Sequence, residues 1–377
     1  MASLLVVGAG FAGAVYARTL AEAGHEVAVI DRRDHIGGNA FDFIDTNGVR
    51  VHRYGPHLFH TRSNTVVGWV RRFAQWTPYR HRVRAALPDG RFVPLPINLD
   101  TLATVFGVQL RDESQAAELL ARVAVPIATP RNAGEYLRSQ LGDLLTDLFF
   151  RPFTRKMWGL ELEQMDASVV KRIPLRYDRT DAYFPRDRFQ ALPTDGYTAV
   201  FDRVFDHPSI SVQLSTPYTP GMERDFAHCF NSMAIDEYFE YHYGELAYRS
   251  IRFHHQSVER WDERDWSVTN FTDAGPQTRE TWWHCLPLHL VQESGRRTLT
   301  REEPCDFRDN DRERYYPVKT ADGTHQTNYR RYLELARRLP NMTFIGRCGT
   351  YQYLDMDQVI SQSLQGARRW LGKHGAA

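Results

Sequence analysis

Ten residues near the middle of the chain, Phe149-Phe150-Arg151-Pro152-Phe153-Thr154-Arg155-Lys156-Met157-Trp158, hold four aromatic rings and three cations. Such a strip can stack a planar base and offer cationic donors to phosphate oxygens. The same residues would also suit a helix that buries its rings and solvates its cations. A second block, Tyr54-Gly55-Pro56-His57-Leu58-Phe59-His60, carries two histidines three apart. No carboxylate or cysteine stands beside them at ligand spacing, which makes metal binding the weakest of three readings. The other two, packed structural histidines and imidazoles set against a cofactor ring, stay open on spacing alone. Arg172, Arg176, Tyr183, Arg249, Arg279, Tyr315 and Tyr316 are further candidates for holding an anionic, polar ligand. No Ser-His-Asp or Cys-His arrangement stands out, so covalent catalysis by a side chain has no visible candidate. Cys229, Cys285, Cys305 and Cys348 are scattered, which fits neither a metal knuckle nor a disulfide framework.

The elements that must position these residues begin at the N-terminus. Leu4-Leu5-Val6-Val7 reads as a strand buried in a parallel sheet. It runs into Gly8-Ala9-Gly10-Phe11-Ala12-Gly13, a G-x-G-x-x-G turn, and then into a helix that Gly24 ends. The strand Glu26–Ile30 delivers Asp31, 18 residues after the last glycine. Gly8 makes the tight turn, Gly10 admits a pyrophosphate and Gly13 lets helix and strand pack closely. The helix N-terminus faces the phosphates, and Asp31 is placed to accept hydrogen bonds from an adenosine ribose. His35-Ile36-Gly37-Gly38-Asn39 adds a second glycine pair that a plain NAD domain does not need, which favours the larger, extended FAD. Asp31 also argues against a 2′-phosphate, since like charges would meet there.

At 377 residues the chain has room for two or three domains, and 42% hydrophobic content supplies a sizeable core. A formal charge of +1 argues against a general nucleic-acid binder. The basic set is 43 Arg and 4 Lys, a bias that suits bidentate phosphate contacts and that a GC-rich genome would also produce. No apolar stretch is long enough to span a bilayer. The chain enters its first strand directly after Met1-Ala2-Ser3, so the expectation is a cytoplasmic protein without membrane insertion. Helical spacing dominates from Asp100 to Asp147, and short strands are expected at 209–214, 248–253 and 266–271. A closing helix–strand–glycine–helix unit after Tyr329 resembles the opening one. The expected architecture is therefore α/β, with a discontinuous Rossmann-like FAD-binding domain (1–65, 196–238 and 317–377). Into it are inserted a helical domain (83–150) and an antiparallel β-sheet substrate domain (66–82, 151–195 and 239–316) with a mobile loop near 159–182.

Taken together, these blocks resemble the bacterial UDP-galactopyranose mutase family. The likeness runs from the glycine turn and His35–Ala40 through Tyr54–Thr61, Pro96–Leu99, Ala167–Pro174 and Gly196–Thr198. It continues with Ile235–Phe239, Tyr248–Ser250, Tyr315–Pro317 and Gly346–Asp357, so it spans nearly the whole chain. The resemblance implies an isomerase that interconverts UDP-galactopyranose and UDP-galactofuranose without net redox change. In that family reduced FAD attacks the anomeric carbon through N5, forming a covalent flavin–sugar adduct, while arginines neutralise the departing UDP. By the same resemblance Arg172 and Arg279 are the catalytic phosphate clamps, the first on the mobile loop, with His60 catalytic beside the flavin. Gly8, Gly10, Phe11, Ala12, Gly13, Asp31, Arg32, Gly38, Asn39, His57, Leu58, His60, Arg347, Leu354, Asp355 and Met356 would hold the cofactor. His81, Phe149, Phe150, Phe153, Thr154, Trp158, Tyr183, Arg249, Tyr315 and Tyr353 would join the two arginines around a nucleotide sugar, expected to be a UDP-hexose. No metal is expected, and assembly into a homo-oligomer is left open. Departures cluster beside the nucleotide: Phe153 stands where the family has tyrosine, Met157 where it has glutamine, and Gln277 in Pro276-Gln277-Thr278-Arg279 where it has tyrosine. Those changes keep another nucleotide-hexose in play as substrate. A flavin amine or alcohol oxidase and a non-catalytic flavin protein are the competing classes.

Overall fold

The computed structural model describes residues 1–171, 175–259 and 264–374. The first strand, β1 (Ser3–Val7), is apolar at four successive positions because both faces of its sheet are covered. Helix α1 (Phe11–Glu22) returns the chain to β2 (Glu26–Ile30), parallel to β1. Ile210–Gln213 flanks β2, while His228–Asn231 and Met342–Phe344 extend the other side, giving five parallel strands. Two of the five come from beyond residue 225, so the sheet is assembled from distant parts of the chain. The closing helix Met356–His374 packs on α1, with Tyr16, Ile360, Leu364 and Trp370 in one buried cluster.

Above the C-terminal ends of these strands lies a seven-stranded sheet. Its order is Tyr316–Pro317, Tyr248–Val258, Arg297–Asp306, Arg279–Trp282, Val268–Phe271, Val83–Ala86 and Phe92–Leu95. All neighbours are antiparallel except Val268–Phe271 with Val83–Ala86. A smaller antiparallel sheet joins Phe59–Thr61, Phe189–Pro193 and Trp76–Pro78. It brings the second histidine of the Tyr54–His60 block against residues more than 100 positions away.

The helical layer comprises Leu99–Phe106, Glu113–Val123 and Ala133–Leu145, each opened by a side-chain cap from Asn98, Asp112 and Asn132. Gly142 adopts φ 73° where a Cβ would lie 2.3 Å from the carbonyl oxygen of Val123, so only glycine lets the two helices approach there. A π-helical run, Thr146–Phe150, then leads into the helix Arg151–Trp158, with proline in its first turn.

Two expected boundaries change. Residues 83–95, assigned above to the helical insertion, are two strands of the large sheet, and helical packing begins only at Leu99. Val66, Trp69, Val70 and Phe73, assigned above to the substrate domain, bury instead in the cluster beneath α1. The helix Asn64–Val70 has its apolar side turned to that core. The expected strand at 248–253 runs on to Val258, because its partner Arg297–Asp306 matches it residue for residue.

Candidate active site

Two cavities meet at the histidine block. The first, of roughly 300 Å3, is lined by Gly8, Gly10, Phe11, Ala12, Asp31, Arg32, Gly38 and Asn39, with Met356 and Arg347 opposite. Its floor is the N-terminus of α1, which has no side-chain cap and no acidic residue in its first turn, leaving the peptide N–H groups facing the cavity. Glycine is enforced around it. At Gly8, φ is +103° and a Cβ would strike Ser232, while a Cβ on Gly38 would lie 2.9 Å from Gly10 Cα. Gly13 is not on the lining. A Cβ there would sit 1.9 Å from the carbonyl oxygen of Gly8, so it permits the helix–strand approach that shapes the turn. Asp31 accepts from the backbone N–H groups of Ala9 and Arg33 at 2.7 and 2.9 Å, holding its carboxylate at the cavity edge.

The second cavity, of roughly 1090 Å3, opens between the large sheet, the small sheet and the helical layer. His57, Arg347 and Met356 line both cavities, so they mark the junction. Leu58, His60 and Asp355 line only the second. Leu354 lines neither. Its side chain is core, and its carbonyl accepts from Arg347 Nε at 2.6 Å, fixing that arginine at the junction. His57 Nδ1 donates to the Gly55 carbonyl, and its backbone N–H donates to His52 Nδ1 at 3.0 Å. His52 Nε2 must then carry the proton it shares with His289 Nε2 at 3.1 Å, since His289 Nδ1 donates to the Pro287 carbonyl. Burial pushes His57 down to about 4, and Arg347 and Arg279 push the same way, so its imidazole is neutral at pH 7. His60 is held differently: its Nδ1 lies 2.6 Å from Asp187 Oδ2, and Phe184 stacks on its ring at 3.5 Å.

Arg279 projects into this second cavity from a strand of the large sheet. Directly across the ladder stands Glu302, whose Oε1 is 3.6 Å from Arg279 Nη1. Glu302 is almost fully buried, burial raises its pKa, and Oε1 has no hydrogen-bond partner. Arg279 Nε donates weakly to Asn270 Oδ1 at 3.4 Å. The guanidinium is thus charge-balanced without being engaged by a bidentate carboxylate, and its fork remains available to an anion. Burial and then Arg279 hold His81, on the same lining, down to about 3.

Of the expected substrate residues, His81, Phe149, Phe150, Phe153, Tyr183, Arg279 and Tyr353 lie together on the second cavity. Arg172 lies outside the described residues. Four others are not on the lining. Thr154 and Trp158 point into the core on the inner side of their helix. Arg249 caps that helix: its Nε and Nη2 donate to the carbonyls of Met157 and Lys156 at 2.8 and 3.2 Å. Tyr315 packs between Tyr54 and Phe253, whereas its neighbour Tyr316 faces the cavity and stacks on Tyr353 at 5.2 Å, because successive residues of an extended segment point opposite ways. The aromatic–cation strip divides likewise. Its phenylalanines face the cavity while Arg151 and Arg155 pair outward with Asp147, Glu163 and Glu161. Lys156 grips the carbonyls of Phe271 and Gln277, closing the loop that precedes Arg279. Arg176 reaches the lining but donates to the carbonyls of Thr180 and Tyr183, bracing the segment that carries Tyr183. Glu302, Asn270 and Asp187 escaped the sequence reading. A carboxylate two positions after a Thr in a strand carries no signal until the ladder register places it opposite Arg279.

A family model described as UDP-galactopyranose mutase matches residues 148–353, and one for an NAD(P)-binding Rossmann-like domain matches residues 6–73. A probable UDP-galactopyranose mutase of Klebsiella pneumoniae is 36% identical over 371 residues, covering 98% of this chain and 94% of its own. The dTDP-fucopyranose mutase of Escherichia coli is 33% identical and covers 98% of this chain and 99% of its own. The crystal structure of a reduced UDP-galactopyranose mutase superposes with a TM-score of 0.76 over 99% of this chain and 96% of its own, at 17% identity, a likeness of fold. With a family model over more than half of its residues and relatives above 30% identity along almost its entire length, this chain belongs to the UDP-galactopyranose mutase family of isomerases.

Proposed function

We propose that the protein interconverts the pyranose and furanose forms of a nucleotide-linked hexose, with UDP-galactose as the favoured substrate and FAD as its cofactor. The observation that carries this reading is Arg279, a charged fork kept free of bidentate pairing in a cavity that meets the glycine-lined one at His57 and Arg347. The first cavity suits a dinucleotide: uncapped helix N–H groups for a pyrophosphate, backbone without Cβ atoms at the crossing of Gly10 and Gly38, and an acid at the far edge. Gly8, Gly10, Phe11, Ala12, Asp31, Arg32, Gly38 and Asn39 would hold the adenosine diphosphate part, with His57, Leu58, His60, Arg347, Asp355 and Met356 around the ring system. Bound there in its reduced form, the flavin would supply a nucleophile for the anomeric carbon.

The chain's own residues have separable tasks. Arg279, together with Arg172 by family resemblance, stabilises the diphosphate as it leaves C1 and holds it for return. Phe149, Phe150, Phe153 and Tyr183 wall a slot for a planar base, with Tyr316 and Tyr353 flanking the approach to Arg279. His57 stays neutral, so it adds no positive charge beside the ring and can only accept at Nε2.

A second reading, a dTDP-linked 6-deoxyhexose, is favoured by the near-equal likeness to the Escherichia coli enzyme. Phe153, on the cavity lining, lacks the hydroxyl usual in the family, which suits a less polar nucleoside or sugar, whereas Met157 is buried in the core away from the lining. Competition binding of UDP, dTDP and GDP to the reduced protein, followed by product analysis with each matching hexose, separates the readings. Tightest binding of UDP with ring interconversion of UDP-galactose supports the first, and tightest binding of dTDP replaces it with the second. Guanine presents a different hydrogen-bonding edge, and each buried group it leaves unpaired costs about 1 to 3 kcal/mol, whereas UDP and dTDP share their base edge and are separated by the ribose 2′-hydroxyl and the thymine methyl.

A further inference from the structure

The segment joining the last long strand of the large sheet to Tyr316 bends over the first cavity. Asp311 and Arg312 both take left-handed backbone conformations, φ 48° and 57°, and the Glu313 N–H donates to the Asn310 carbonyl at 2.9 Å. This turn delivers Glu313 to the loop that follows β2. Its Oε1 accepts from Arg32 Nη2 at 2.9 Å, and its Oε2 accepts from Arg33 Nη2. Arg33 is itself pinned, donating through Nη1 to Asn39 Oδ1 at 3.0 Å and lying 4.3 Å over the Tyr54 ring. On the other flank Arg314 pairs with Glu237. Arg32, Arg33, Glu237, Glu313 and Arg314 all line the same cavity as Asp31. Three stretches distant in sequence are therefore tied together across its rim, where no ladder or helix links them.

We propose that Glu313, with Arg32 and Arg33, forms an ionic clasp across the mouth of the dinucleotide cavity and sets how long the cofactor stays bound. The inference rests on the reading that this cavity holds FAD. Departure of a dinucleotide past Asp31 needs the turn at 310–314 to lift, and lifting it separates one carboxylate from two guanidinium groups. Glu313 and Arg33 keep only 23% and 15% of their side-chain surface exposed, so their pair is screened less than an open surface pair. Arg32, at 47%, is the salt-sensitive half.

The test uses the FAD-loaded protein and follows release by recovery of free-flavin fluorescence after large dilution into buffer, where rebinding is negligible. Glu313→Gln keeps the shape and removes the charge, and Glu313→Asp keeps the charge but shortens its reach. Glu334→Gln, at an exposed ion pair on a distant helix, is the control. Wild type should release FAD about tenfold more slowly than Glu313→Gln at low salt, as two charge-assisted hydrogen bonds warrant. Raising the salt should carry wild type toward the Glu313→Gln rate while leaving that variant nearly unchanged. Glu313→Asp should fall between them, and Glu334→Gln should match wild type. Equal release from wild type and Glu313→Gln, or an equal salt response in both, overturns the clasp while FAD uptake still supports the cofactor reading. A wild-type protein that takes up no FAD overturns the cofactor reading, and the clasp with it.

Discussion

Replacing Arg279 with alanine should damage the protein in two ways that can be told apart. The first is catalytic: losing one well-placed charge-stabilising donor typically removes about 3 to 4 kcal/mol from transition-state stabilisation, a hundred- to a thousandfold in turnover. The second is structural and comes from Glu302. At 3.6 Å the attraction between the two charges is about 4 to 5 kcal/mol for an effective dielectric of about 20. Without Arg279 the Glu302 carboxylate is left buried with no countercharge, and burial already raises its pKa. The folded variant should therefore hold a proton there at pH values where the unfolded chain does not. Stability linked to a raised carboxyl pKa is present at low pH and lost as pH rises through the folded value, so Arg279→Ala should be markedly less stable at pH 8 than at pH 6. Adding Glu302→Gln removes the stranded charge, so the double variant should regain stability at pH 8 yet stay inactive. Urea unfolding at both pH values, beside turnover at one, reads out both effects. If Arg279→Ala lost the same stability at pH 6 and pH 8, and Glu302→Gln did not restore it, the pairing deduced from the ladder would be wrong.

Arg249→Ala should destabilise the protein by about 1 to 2 kcal/mol in urea unfolding, because it uncaps the helix Arg151–Trp158. Added guanidinium ion should not rescue turnover as it would for a cation that touches substrate. Gly13→Ala should abolish FAD uptake in a binding titration, since its Cβ would collide with the Gly8 carbonyl under the pyrophosphate turn. Burial holds His57 and His289 down to about 4 and His81 to about 3. Below pH 6.5 the unfolded chain binds protons that the folded one does not. Stability should thus fall on acidification toward pH 4, by up to about 1.4 kcal/mol per pH unit for each histidine, and calorimetry across that range checks the slope.

Much of this could be read directly from residue order. The G-x-G-x-x-G turn, with Asp31 at its proper distance, describes a local βαβ unit whose geometry depends on a few nearby residues. The cavity indeed gathers Gly8, Gly10, Asp31 and Gly38. Phe149, Phe150 and Phe153 were legible as a ring cluster, but the fate of Arg151 and Arg155 was not. Which side of a helix a cation takes depends on partners such as Glu161 and Glu163, supplied by the following turn. Arg249 looked like an anion ligand because an arginine in a strand gives no hint that a helix C-terminus will be packed against it. Tyr315 and Tyr316 show the same limit at finer grain. The pair was visible, but the parity of the strand decides which ring enters the cavity, and parity is set by pairing with Tyr248–Val258. The strand His228–Asn231 went unread because four residues with a histidine and an asparagine at its ends lack an apolar run.

The central claim is a ring interconversion that needs reduced flavin and consumes no electrons. The most direct measurement incubates UDP-galactofuranose with the FAD-loaded protein, with and without dithionite under argon, and resolves the two sugar nucleotides by chromatography. The account predicts conversion to UDP-galactopyranose only after reduction, continuing for many turnovers while the flavin stays reduced. Conversion by fully oxidised flavin, or consumption of one reducing equivalent pair per product formed, would contradict it.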